Sequence, residues 1–162
     1  MNANTTLNTS SATLTELRNL LEHVTDPEIP VISIAELGIL RNVELEQETV
    51  TVTITPTYSG CPAMHEISND IKAVMRKAGI KKTIVELQLT PPWTTDWMSQ
   101  TGRDKLQQYG IAPPLKAEQK AVRCPQCGSN KTTKISEFGS TACKALYKCQ
   151  SCLEPFDYFK CL

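Results

Sequence analysis

Val50-Thr-Val-Thr-Ile54-Thr-Pro-Thr-Tyr-Ser-Gly60-Cys61-Pro62-Ala-Met is the stretch that decides the fold of the first half of the chain. Val50, Val52 and Ile54 alternate with threonines, the period of a strand with one buried face. Thr55 to Gly60 then reads as a flexible loop. Pro62 stands where proline is best tolerated, in the first turn of a helix. Beyond it Ile67, Ile71, Val74, Met75 and Ala78 fall on one helical face, and Gly79 ends the run. The spacing predicts a helix over 62–78 with Cys61 at its N-cap.

Upstream, Val43 and Leu45 alternate in the same way, and Gln47-Glu48 between the two runs predicts a tight antiparallel hairpin. Leu14, Leu17, Leu20, Leu21 and Val24 repeat at helical spacing behind the capping box Thr13-x-x-Glu16, and Asp26-Pro27 stops that helix. Ser33 and Glu36 form a second capping box before Gly38. Downstream, Val85, Leu87 and Leu89 alternate as a third strand that Pro91-Pro92 breaks. Trp93 and Trp97 then lead to a polar helix around Arg103–Tyr109, and both tryptophans are expected to pack the domain. The order helix, two strands, helix, strand, helix predicts an α/β (α+β) unit, a small sheet with helices on one face.

The chain has 162 residues, 40% of them hydrophobic and 21% charged, which excludes fibrous and wholly disordered classes. Its formal net charge is zero, so the surface as a whole is not built to grip nucleic acid or anionic lipid. The balance is uneven along the chain. There are 9 basic and 13 acidic residues up to Leu115, against 8 basic and 4 acidic beyond it. Opposite signs predict two units. The expected organisation is a disordered tail over 1–12, an α/β domain over 13–112, a Pro-then-polar linker over 113–121, and a second domain over 122–162. No apolar run is long enough for a membrane span, and the first ten residues lack the basic and apolar regions of a secretory signal. A cytoplasmic location is expected, with the 7 cysteines as thiols or metal ligands rather than disulfides.

Six of those cysteines lie between 124 and 161. Cys124-Pro-Gln-Cys127 and Cys149-Gln-Ser-Cys152 form two C-x2-C pairs separated by 21 residues. Two residues between thiols let one tight turn aim both sulfurs at one ion, and four thiolates suit tetrahedral zinc. Gly128 permits the left-handed turn that such a knuckle needs, whereas the second knuckle has no glycine after Cys152. Strands are expected over 131–138, 145–148 and 156–160, the layout of a zinc ribbon. So short a unit needs the metal's binding energy to fold. Zinc is the expected metal; four thiolates can also hold iron, and geometry alone does not separate the two. Cys143 and Cys161 are read by default as buried structural thiols; the alternative is that one of them substitutes for a quartet member or contacts a cluster in transit. Lys131, Lys134, Lys144 and Lys148 carry the basic surplus, read as a solvated surface or a patch for an acidic partner rather than a nucleic-acid site.

Cys61 stands apart. At a helix N-cap a thiol faces unpaired N–H groups and the positive end of the dipole, which predicts a lowered pKa and a nucleophile or soft-metal ligand. A small buried side chain is the alternative, and spacing leaves it open. His65, one turn on, could pair with Cys61 or simply flank the core. His23 reads as surface. Asp26 and Glu28 bracket Pro27 as a helix stop, or as hard ligands near the Cys61 loop. There is no Glu-x-x-His pattern for a di-iron oxygenase and no Gly-rich nucleotide fingerprint.

Asp26-Pro-Glu-Ile-Pro-Val31, Leu37-Gly38-Ile39, and Thr55 through Gly60-Cys61-Pro62 resemble, in order and spacing, the signature of the SufT-like iron–sulfur assembly domain. Trp93-Thr-Thr-Asp96-Trp97-Met98, Gly110-Ile-Ala-Pro-Pro114 and Gly139-Ser-Thr-Ala-Cys143-Lys-Ala-Leu-Tyr147 extend the resemblance to the PaaD (PaaJ) family of accessory subunits of the phenylacetyl-CoA epoxidase. The resemblance implies a maturation subunit for aerobic phenylacetate degradation, not catalytic by itself. Its partners would be the oxygenase subunits or a ferredoxin-type reductase, and its cofactors a structural zinc and a transient iron–sulfur cluster or iron. It puts the family's functional cysteine on Cys61, supported by Asp26, Glu28 and Thr55. The alternative is a non-catalytic zinc-ribbon scaffold that binds protein or nucleic acid and does not need Cys61.

Overall fold

The computed structural model describes residues 13–160. The tail expected over 1–12 and Cys161 lie outside the described residues. The chain divides into two compact units, Met1–Trp93 and Thr94–Leu162.

In the first unit the Thr13 box closes as its sequence predicts. The Thr13 hydroxyl accepts from Glu16 N–H, and the Glu16 carboxylate accepts from Thr13 N–H at 2.8 Å. Helix α1 runs Leu14–Leu21, so it stops short of Val24 and of Asp26-Pro27. Val24 is buried in the turn that follows, where its carbonyl accepts from Ile34 N–H. The Ser33 and Glu36 side chains bond reciprocally to each other's backbone N–H, which fixes the turn before Gly38.

Strands β1 (Leu40–Glu46) and β2 (Thr49–Ile54) pair antiparallel, with Val43 opposite Val52 and Leu45 opposite Val50. Helix α2 (Ala63–Lys77) then crosses over to β3 (Lys82–Leu87), which pairs parallel to β2. The sheet order is β1-β2-β3. Helix α1 packs on α2 and β1, and α2 packs on β3. The core holds Val43, Val50, Val52 and Ile54 with Ile67, Ile71 and Met75 of α2. This is the one-sided α/β arrangement expected. A fully buried Ile71 of this kind contributes about 2–5 kcal/mol against alanine.

The third strand departs from expectation. Leu87 and Leu89 are 53% and 56% exposed, and only Val85 of the three is partly buried. β3 is the last strand in the sheet order, and Leu89 lies beyond its end, so the expected apolar face is only half covered.

The second unit is built on a four-stranded sheet of order β4-β7-β6-β5. Its strands are β4 (Ile111–Ala112), β5 (Thr132–Ser136), β6 (Lys144–Cys149) and β7 (Pro155–Phe159). β5, β6 and β7 are the three strands predicted between and beyond the knuckles. A 3-10 turn (Thr95–Trp97) and helix α3 (Gln100–Tyr109) belong to this unit rather than to the first. The division therefore falls upstream of the Pro113–Lys120 stretch. Two sets of bonds account for it. β4 pairs parallel with β7, and the buried Arg103 of α3 donates to the carbonyls of Pro114 at 2.9 Å and Thr95 at 2.7 Å. Trp93 stays with the first unit, buried, its indole N–H donating to Leu37 O at 3.0 Å. The ribbon core gathers Ala112, Val122, Cys124, Cys149 and Phe156, with Tyr147 and Tyr158 packed against them.

Candidate functional site

Among the described residues, the second unit carries a four-thiol cluster and the first unit carries the thiol of Cys61. In the ribbon, the turn 124–128 presents Cys124 and Cys127, and the β6–β7 turn presents Cys149 and Cys152. Gly128 N–H donates to Cys124 O in the first knuckle, and Cys149 N–H donates to Glu154 O in the second. All four sulfurs lie within 4.8 Å of one another. Cys124 Sγ is 3.7 Å from Cys152 Sγ, and Cys127 Sγ is 3.5 Å from Cys149 Sγ. A tetrahedron with Zn–S bonds of about 2.3 Å has edges of about 3.8 Å, so the cluster already has the size of a zinc site. Backbone N–H groups of Ser151 and Cys152 point at Cys149 Sγ, at 3.3 and 3.5 Å, the outer support a thiolate ligand needs.

Those donors act on the thiol itself. Cys152 N–H, then Ser151 N–H and the Cys127 and Cys152 thiols, outweigh burial and bring Cys149 down to about 6. On Cys152 the Glu154 N–H works in the lowering direction. Burial and the thiols of Cys149, Cys127 and Cys124 outweigh it and hold Cys152 up at about 12. One sulfur gives up its proton readily and a neighbour resists, and a bound cation would favour the thiolate of the one that resists.

In the first unit, Cys61 is half-buried at the end of the β2–α2 loop. It is not the N-cap. α2 begins at Ala63 with Pro62 as its N-cap, and Cys61 lies one residue outside. The expected lowering of its pKa is overturned. Burial pushes the Cys61 thiol up, against hydrogen bonds from Ala63 N–H and the Tyr58 side chain, and the carboxylates of Glu28 and Asp26 push it further. The acidic segment and the thiol therefore feel each other, although they lie far apart in the sequence.

Asp26 is buried, and its Oδ1 accepts from Glu28 N–H at 2.8 Å and Ile29 N–H at 2.9 Å, so it holds the Pro27 turn in place. Thr55 opens the loop that ends at Cys61. Its N–H donates to Ile39 O, but its hydroxyl is buried and, among the described residues, has no hydrogen-bond partner. A strand pattern gives no sign of such an orphan. His65 contacts Asn69 Nδ2 through Nδ1 at 3.3 Å on the exposed face of α2. Cys143 is buried beside the Thr141 hydroxyl, 3.0 Å away. Of the basic surplus, Lys144 is buried and bonded to Ser140, and Lys134 is paired with Glu137 at 2.7 Å.

Residues 112–160 match the PaaD zinc beta ribbon domain, and residues 14–88 match the iron-sulfur cluster assembly protein family. A protein of Escherichia coli K12, named as a subunit of the 1,2-phenylacetyl-CoA epoxidase, is 52% identical over 91% of this chain and 92% of its own length. The chain belongs to the PaaD family. Cys124, Cys127, Cys149 and Cys152 all fall within the residues that match the zinc ribbon domain, and four thiols in this geometry suit a structural zinc. The first unit has relatives of its own. The Fe-S protein maturation auxiliary factor YitW of Bacillus subtilis is 38% identical over 49% of this chain and 78% of its own length. SufT of Staphylococcus aureus, with the same description, is 39% identical over 47% and 88%. Among solved structures, a domain of unknown function DUF59 from Bacillus anthracis covers 57% of this chain and 89% of its own, with a TM-score of 0.53 at 29% identity. This chain thus joins an iron–sulfur-assembly domain to a zinc ribbon. Among the described residues no helix is long and apolar enough to cross a membrane.

Proposed function

We propose that this chain is an accessory subunit of a phenylacetyl-CoA epoxidase system. Its Cys61 loop receives iron or an iron–sulfur cluster and passes it, in the cytoplasm, to the oxygenase subunits or a ferredoxin-type reductase. The observation that carries the reading is the loop itself. A half-buried thiol shares its surroundings with the carboxylates of Glu28 and Asp26, and the loop starts at a buried threonine hydroxyl that lacks a partner among the described residues. A raised thiol pKa suits a transient holder. The thiol stays protonated without cargo, and a soft cation displaces the proton to gain a thiolate ligand. The carboxylates favour a cation and supply harder oxygen donors. The zinc ribbon contributes structure and docking, not transfer.

The test is anaerobic reconstitution with iron and sulfide, read by visible absorption and metal analysis. Wild type is expected to take up iron beyond its zinc, and Cys61→Ser to take up none. Equal uptake by both proteins would put the scaffold reading in its place.

A further inference from the structure

The second unit carries a basic groove that neither the quartet nor the Cys61 loop explains. It is about 460 Å³ in volume and is walled by one face of α3 and by the extended chain on either side of Lys116. A smaller cleft of about 350 Å³ continues from it, sharing Gln119 and Arg123 and adding Lys120. Arg103, Lys116, Lys120 and Arg123 line this continuous surface, against the single carboxylate of Asp104.

None of these cations is neutralised by an acid among the described residues. Arg103 is only 8% exposed, yet among the described residues its guanidinium is held by the two carbonyls of Pro114 and Thr95. Lys116 Nζ donates to Gln100 Oε1, and Arg123 Nε to Gly128 O. A buried cation without a counter-ion is costly, and an anionic ligand would offset that cost. The unit as a whole has 10 basic and 6 acidic residues from Thr94 onward.

We infer that this groove docks an extended, carboxylate-rich peptide segment of a partner protein. Three features select that occupant. The α3 face runs from Gln100 to Gln107, about 10 Å of helix rise, which one tetrahedral anion cannot span but about three extended residues can. Glutamine amides in the wall remain open to a peptide backbone. Gln107 spends its Nε2 on Pro125 O and keeps its oxygen, while Gln119 spends its oxygen on Lys116 N–H and keeps its Nε2. No aromatic side chain lines the groove, so it offers no platform on which nucleic-acid bases would stack.

A fluorescein-labelled peptide of alternating Glu and Gly tests this against the full-length, zinc-loaded protein. Wild type is expected to bind it in a salt-sensitive manner, and K116E/K120E to bind about tenfold more weakly at unchanged zinc content. Cys61→Ser is expected to bind it like wild type, which separates this surface from the proposed function of the loop. Should K116E/K120E lose zinc, K116Q/K120Q is held to the same criterion. No binding by wild type, unchanged binding by the variant, or displacement by equimolar inorganic phosphate overturns the inference. So does a single-stranded oligonucleotide that binds more tightly than the peptide at the same ionic strength.

Discussion

Leu153 takes in the second zinc knuckle the left-handed backbone conformation that Gly128 takes in the first, with φ of 66° against 76°. The two residues follow Cys152 and Cys127, so the knuckles share a backbone path although only one has the residue suited to it. Left-handed backbone costs a side-chain-bearing residue about 1–2 kcal/mol, and glycine returns about 0.5–1 kcal/mol of that through chain entropy. Leu153 is 63% exposed, so little packing is lost with its side chain. Leu153→Gly is therefore expected to tighten zinc binding about two- to fivefold. Gly128→Ala should weaken it, through backbone strain alone, because an added Cβ would meet nothing nearer than Arg123 Nε at 3.8 Å. Competition with a chromophoric chelator measures both.

Removing the metal should dissolve one unit and spare the other. The ribbon core has two ligand cysteines, Cys124 and Cys149, as members of its buried cluster, so demetallation strikes packing and site together. Hydrogen exchange after chelation is expected to lose protection across β5, β6 and β7 and to keep it in α2 and β2, whose core of Val50, Val52, Ile67 and Ile71 contains no ligand. Protection retained in β6 without metal would contradict a metal-dependent ribbon.

Features with a local cause are legible in the sequence. The Thr13 and Ser33 boxes, the hairpin at Gln47-Glu48 and the paired knuckles each need only residues a few positions apart. What stays hidden depends on distant groups. β4 is two residues long, too short for any period, and it exists because β7 offers an edge to Ile111 and Ala112. That pairing ties the last two residues of the expected first domain to the ribbon sheet. The sequence pattern puts Cys61 one residue too close to α2, and its pKa direction is set by burial and by Glu28, far upstream in the chain. The buried hydroxyl of Thr55 has no partner among the described residues, which no alternation of valine and threonine announces.

Alkylation should report the direction of the Cys61 shift. Burial and the nearby carboxylates raise its pKa, so at neutral pH the thiol is protonated and reacts slowly. Labelling of the zinc-loaded protein, mapped by mass spectrometry, is expected to accelerate through and above the ordinary thiol range. The same sign applies to folding. A thiol whose pKa is raised on folding contributes stability that is fully present below its unfolded value and is lost as pH rises through the folded one. Glu28→Gln removes one of the raising charges and should shift the labelling profile to lower pH.

Thr55→Val separates stability from function. Its hydroxyl is buried and has no partner among the described residues, so replacing it with a methyl of similar shape should stabilise the first unit by about 1 kcal/mol in the metal-free protein. If that oxygen serves the cargo, iron uptake on reconstitution should fall at the same time. Denaturation midpoints and metal analysis on the same preparation decide it. Loss of stability with unchanged uptake would mean that the hydroxyl has a structural partner and no part in binding.

Cys61→Ser and Cys127→Ser should fail in different ways. At Cys61 the backbone bonds to Tyr58 O and from Met64 N–H do not involve the side chain, and the thiol is only half-buried, so the serine variant should fold. A soft metal or cluster prefers a thiolate to a hydroxyl, so that variant should not support growth on phenylacetate while its zinc content stays at the wild-type level. Cys127 belongs to the quartet, 3.5 Å from Cys149, and its loss should release zinc and with it the ribbon. Growth on phenylacetate, zinc content of the purified variants, and iron content of the co-expressed oxygenase and reductase subunits tell the two apart. Full growth and full iron loading with Cys61→Ser would remove the loop from maturation and leave the ribbon as the working part of the protein.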